Sequence, residues 1–113
     1  MKILAVDFDN TLFTTITYPN KVKVCFINRL VQFYVRKKHK QGWIIILNTL
    51  REKGKGLEFA ISCCKEYNIP IDLVNENHFS LVNQWGDSRK IAADLYLDDR
   101  NAGFIGWLLR RSK

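Results

Sequence analysis

The sequence predicts an α/β fold in one domain, residues 1–113, with a central parallel sheet flanked by helices. Three observations predict it. Short, continuously apolar runs alternate with segments of helical periodicity, the grammar of strand–helix–strand units. Three of the four runs end in Asp or Thr, and open sheets of this kind bind ligands beyond the carboxyl ends of their strands. A chain of 113 residues, 47% of them hydrophobic, has material for a single core and too little for two.

The elements follow in order. Ile3–Val6 is apolar and partly β-branched and breaks off at Asp7, as a strand buried on both faces does at the sheet edge. From residue 24 to about 40, Ile27, Leu30, Val31, Tyr34 and Val35 recur at helical spacing, and Gly42 follows as a stop signal. Residues 43–47 are again continuously apolar and close on Asn48-Thr49, giving the second strand. Leu57, Ala60, Ile61 and Cys64 form the apolar stripe of a helix that must stop before Pro70. Residues 71–74 are a short third strand, and Leu95–Leu97 a fourth that leads into Asp98-Asp99. Phe104, Trp107 and Leu108 supply one face of a final helix. Residues 75–88 read only as a polar stretch with a turn at Trp85-Gly86-Asp87, and residues 12–23 as a connection.

Composition narrows the function classes. The longest apolar run is five residues, against roughly 20 for a bilayer span, so no membrane helix is expected. The N-terminus is basic and then apolar like a signal peptide, but Asp7 and Asp9 interrupt it. Three cysteines, two of them adjacent, do not make a disulfide set, which fits a reducing, cytoplasmic setting. With two histidines besides, no zinc pattern appears. Eighteen Lys and Arg against eleven Asp and Glu give +7, which draws the chain toward polyanions at low salt. The run Arg36, Lys37, Lys38, His39 and Lys40 reads first as cations complementing a helix C-terminus and second as a nucleic-acid patch.

The decisive segment is Asp7-Phe8-Asp9-Asn10-Thr11-Leu12. Two carboxylates one residue apart alternate in a continuing strand, but a chain leaving the sheet can point both toward one centre. Taken with Thr49 at the second strand end, Lys90 upstream of the last strand, and Asp98-Asp99 closing it, the sequence resembles the haloacid dehalogenase superfamily of phosphatases. Asp7, Asp9 and Thr11 match its first motif, Thr49 the second, Lys90 the third, and Asp98 and Asp99 the fourth. Asn10 stands where many relatives have Gly, and Asn also tolerates unusual backbone angles. The resemblance implies a three-layer Rossmann-like domain with strand order 3-2-1-4. Neither residues 12–23 nor residues 51–90 leave room for a cap domain.

The same resemblance implies a magnesium-dependent phosphomonoester hydrolase. Asp7 would attack phosphorus to form an aspartyl phosphate, and Asp9 would protonate the leaving oxygen and then activate water. That division needs Asp9 protonated near neutral pH while Asp7 is ionised. Four acids meeting at one spot require a hard cation, and all-oxygen ligation favours Mg2+. Its ligands would be Asp7, the Asp9 carbonyl and an acid of the last motif, Asp98 with Asp99 supporting. Thr49 and Lys90 would hold the phosphoryl oxygens, with Arg89 the neighbour that competes for the role of Lys90.

Several residues carry open alternatives. Arg51 reaches either a second phosphate or carboxylate of the substrate, or pairs with Glu52 or Asp99, and Arg100 has the same ambiguity. Tyr18, His78 and Trp85 lie in loops, where an aromatic stacks on a base or sugar or packs under its own loop. The expected substrate is a small phosphorylated molecule, a sugar phosphate or nucleotide. Nucleic-acid or protein ends are the second reading, motivated by the missing cap and the charge, and a non-catalytic binding protein on the same scaffold is the third.

Overall fold

A computed structural model describes residues 1–79, 81–82 and 91–99. Its elements are β1 (Ile3–Val6), β2 (Thr14–Thr17), β3 (Lys21–Lys23), α1 (Phe26–Lys40), β4 (Ile44–Leu47), α2 (Leu57–Glu66), β5 (Leu73–Val74) and β6 (Leu95–Leu97). The fold is α/β, built on a parallel four-stranded sheet in the order β5-β4-β1-β6. Counting only these strands along the chain, that order is 3-2-1-4. The final helix expected around Phe104 and Trp107 falls outside the described residues.

Alternation along the strands divides the core in two. Leu4 and Val6 of β1 and Ile45 and Leu47 of β4 face one side, where α1 covers them with Ile27, Val31 and Val35 and α2 with Ala60, Cys63 and Cys64. Ile3, Ala5 and Ile46 face the other side and bury against Ile91, with Leu81 and Ala93 packed alongside. Since both faces are covered, β1 is buried at every position and reads as an unbroken apolar run. At the amino ends of the strands two aspartates cap the sheet. Asp94 accepts from the Ile3 amide and Asp72 from the Ile45 amide, and each returns its own N–H to the carbonyl of the residue it caps.

Both helices end on Schellman turns, which fix where the chain re-enters the sheet. In α1 the Trp43 amide reaches the Lys38 carbonyl across Gly42 at φ 92°. In α2 Asn68 takes the left-handed position at φ 55°, and the Ile69 amide reaches Cys64. Lys37, Lys38, His39 and Lys40 occupy the last turn of α1, as the dipole reading of the basic run expects. Arg36 extends the pattern across space by donating to the carbonyls of Tyr67 and Asn68 at the end of α2.

Two features depart from the sequence reading. The connection over residues 12–23 contains an antiparallel hairpin, β2–β3, which period-2 patterning does not announce because Thr14, Thr15 and Thr17 carry little hydrophobic contrast. The buried face of α1 is also rotated from the one expected. Leu30 is exposed, while Asn28 and Gln32 are buried. Asn28 donates to the Thr11 carbonyl and accepts from the Thr14 hydroxyl and the Cys25 amide, and Gln32 donates to the Leu12 carbonyl. These amides satisfy backbone groups of a loop that has no ladder partner, which is why polar side chains take core positions.

Candidate functional site

Parallel strands bring their carboxyl ends to one edge, and the ladder continues one residue beyond β1, β4 and β5. The Asp7 amide donates to Leu97, the Asn48 amide to Val6 and the Asn75 amide to Leu47. The first residue of each of these three loops is therefore held by backbone geometry before any side chain acts. At this edge Asp7, Asp9, Asn10, Asn48, Thr49, Leu50, Asp98 and Asp99 line an open cavity of 390 Å³. Acids 91 residues apart in the chain thus share one space because β1 pairs directly with β6.

Of the residues expected at the site, Asp7, Asp9, Thr49, Asp98 and Asp99 come together, and Lys90, with Arg89, Arg100 and Trp85, lies outside the described residues. Thr49 is buried at the cavity wall. Its amide donates to Asn75 Oδ1 (2.8 Å) and its hydroxyl accepts from the Arg51 amide (3.1 Å). Asn75, at the end of β5 with φ 52°, is a support that the sequence reading did not single out. Asn10 adopts φ 60°, as its residue type allows, and accepts the Thr15 amide. Thr11 is fully buried, and its hydroxyl has no partner among the described residues. Leu50 stands 89% exposed at the cavity mouth, an apolar side chain presented to whatever enters.

The two first-motif acids differ in environment. Burial pushes the Asp7 carboxyl up to about 7 against the opposing hydrogen bond from the Phe8 amide, and the charges of Asp9, Asp99 and Asp98 push it further the same way. Asp9 is also partly buried, which raises its pKa, but hydrogen bonds from Arg51 and Thr15 and the Arg51 charge outweigh burial and hold it below the ordinary aspartate value. The order of the two pKa values is the opposite of the one expected, because burial first and the neighbouring carboxylates second raise Asp7 while Arg51 and Thr15 lower Asp9.

Arg51 resolves differently from either expected role. It pairs with neither Glu52 nor Asp99. Nε and Nη2 donate to the two Asp9 carboxylate oxygens at 2.9 and 2.8 Å, a bidentate fork, and Nη1 donates to the carbonyls of Pro19 and Gly56 at 2.6 and 3.2 Å. The guanidinium lies over the rings of Tyr18, Phe8 and Phe59, at 4.8, 4.9 and 5.7 Å from their centroids. Gly56 permits this approach, since a Cβ there would sit 2.6 Å from Arg51 Nη1, and φ 103° disfavours any side chain. Tyr18 does not pack under its own loop: its ring, half exposed, lies against Arg51, and its hydroxyl donates to the Lys55 carbonyl in the loop after β4. The fork was not legible in sequence, because nothing in the spacing of Asp9 and Arg51 marks them as partners.

The cavity's donors are all oxygen, and none of its described lining residues is basic. Among the described residues, no group of three or more His, Cys, Asp or Glu side chains is gathered as a metal cluster. The donor chemistry still suits a hard cation. Asp7 and the last-motif acids concentrate negative charge in one space, and their charges add to burial in raising Asp7.

No helix among the described residues is long and apolar enough to cross a membrane. The sequence matches no family model and no curated protein. It is similar in structure to a conserved protein from Bacteroides thetaiotaomicron, with a TM-score of 0.73 and 27% identity over 96% of this chain and 87% of that one.

Proposed function

We propose that the chain is a magnesium-dependent phosphomonoester hydrolase of the haloacid dehalogenase type, acting on a small phosphorylated molecule through an aspartyl phosphate on Asp7. The observation that carries this reading is the shared cavity of Asp7, Asp9, Thr49, Asp98 and Asp99 at the carboxyl edge of the sheet. Asp7 Oδ attacks phosphorus, and the bond from phosphorus to the leaving oxygen breaks. Water then attacks the phosphoaspartate, the bond from phosphorus to Asp7 breaks, and the carboxylate is restored with release of phosphate. Asp9, held ionised by Arg51, suits the base role in the second step, taking a proton from the attacking water. Asp9 then releases that proton to solvent, and the leaving oxygen of the first step takes its proton from water in the open cavity.

The Thr49 hydroxyl supports the phosphoryl oxygens, and Lys90 is assigned the same task from the motif order. The residues that would hold Mg2+ are Asp7, the Asp9 carbonyl and Asp98, with Asp99 supporting. When bound, the ion supplies the positive charge that makes an acidic cavity receptive to phosphate and stabilises charge on the transferring group.

A phosphomonoester panel assayed with magnesium tests the proposal, covering sugar phosphates, nucleotides and phosphorylated oligonucleotide ends. Turnover of small phosphates that is insensitive to salt and lost in Asp7→Asn supports it. Turnover confined to oligonucleotide ends would transfer the reading to nucleic-acid ends, and none on any substrate would remove it.

A further inference from the structure

We propose that Arg51 is a positioning residue that couples the tip of the β2–β3 hairpin to Asp9, so that Asp9 keeps its working orientation only while the tip is seated. The kinetic consequence rests on the phosphatase reading; the coupling itself does not. The Arg51 side chain is 1% exposed and absent from the cavity lining, so it does not touch substrate. Each of its three nitrogens is engaged, two on Asp9 and one on the carbonyls of Pro19 and Gly56.

The Pro19 carbonyl belongs to the hairpin tip, and the Tyr18 ring beside it covers the guanidinium. A second link runs from the hairpin stem, where the Thr15 hydroxyl of β2 donates to the same Asp9 carboxylate. The hairpin forms a two-stranded sheet of its own with Thr17, Lys21 and Lys23 exposed, and a lone two-stranded ribbon is marginal in water. The stem has anchors of its own, Thr14 on Asn28 and Val22 against the core, so it is the tip whose seating depends on Arg51, through the Pro19 carbonyl and the Tyr18 ring.

Three variants break the link at different points without touching the cavity. Arg51→Lys keeps the charge but loses the fork, Gly56→Ala places a methyl against Nη1, and Tyr18→Ala removes the ring over the guanidinium. Each is expected to lower kcat on an aryl phosphate by about 10- to 100-fold with KM within about threefold, because misplacing a catalytic group by about 1 Å has that effect. Tyr18→Phe, which keeps the ring, should retain near wild-type kcat.

The reciprocal arm needs no turnover. In Asp9→Asn, amide exchange in the hairpin should accelerate about tenfold or more while the amides of β1 and β4 are unchanged. Unchanged hairpin exchange in Asp9→Asn, or a raised KM with kcat preserved in the three variants, would overturn the proposal. If Arg51→Lys does not fold, Gly56→Ala and Tyr18→Ala carry the kinetic test. Absent wild-type turnover would bring down the phosphatase reading alone, and the exchange result would still decide the coupling.

Discussion

Replacing Asp7 by Asn should stabilise the protein in chelator at alkaline pH and leave its stability nearly unchanged in acid. Asn keeps an acceptor for the Phe8 amide, which now donates to Asp7 Oδ1 at 2.8 Å, so the substitution removes charge with little change of shape. Burial first, and then the charges of Asp9, Asp99 and Asp98, raise the Asp7 carboxyl from 3.8 to about 7. The folded state thus holds a proton that the unfolded chain releases, and stability falls as pH rises through that window and stays lowered above it. At about 1.4 kcal/mol per pH unit the full effect is about 4 kcal/mol. Water in the open cavity screens part of the repulsion, leaving about 2 kcal/mol, or roughly 8 °C in Tm for a chain of this size. The assay is thermal unfolding of both proteins from about pH 4 to about pH 8. Magnesium should shrink the difference at the alkaline end, since a bound cation relieves the same repulsion. A variant no more stable than wild type at alkaline pH, or one stabilised equally at both ends, would refute the reasoning.

Two further outcomes follow from the hydrogen bonds. Arg51→Met strands a half-buried carboxylate and frees two carbonyls, so urea unfolding should show a loss of about 3 kcal/mol near neutral pH. Because Asp9 is depressed, that loss should be present above the ordinary aspartate pKa and fade as acid protonates the folded carboxylate, and a loss independent of pH would speak against the ion pair. Asn28→Ala leaves the Thr11 carbonyl, the Thr14 hydroxyl and the Cys25 amide without their partner and should lower stability by about 2 kcal/mol; a neutral result would mean that water replaces the amide.

The parallel sheet was legible because burial on both faces leaves continuous apolar runs, and Ile3–Val6 and Ile44–Leu47 are such runs. The gathering of Asp7, Thr49, Asp98 and Asp99 was legible for a related reason, since all parallel strands end on one edge. The hairpin was hidden because, Thr14 apart, its strand residues are half-buried or exposed and its short strands carry no clear alternation. Asn28 and Gln32 look like surface residues in a one-dimensional reading, and only the unpaired carbonyls of Thr11 and Leu12 explain their burial. The ionisation order of Asp7 and Asp9 was inverted because it depends on Arg51, 42 residues from Asp9, arriving in a geometry that no local pattern encodes.

The most direct measurement is to trap the covalent intermediate. Protein quenched during turnover of a phosphomonoester with magnesium, then reduced with borohydride, converts a phosphorylated aspartate to homoserine, which peptide mass spectrometry locates. The account predicts homoserine at position 7, dependent on substrate and missing in Asp7→Asn. Steady turnover with an unmodified Asp7, or the mark on Asp9, Asp98 or Asp99 instead, would contradict it.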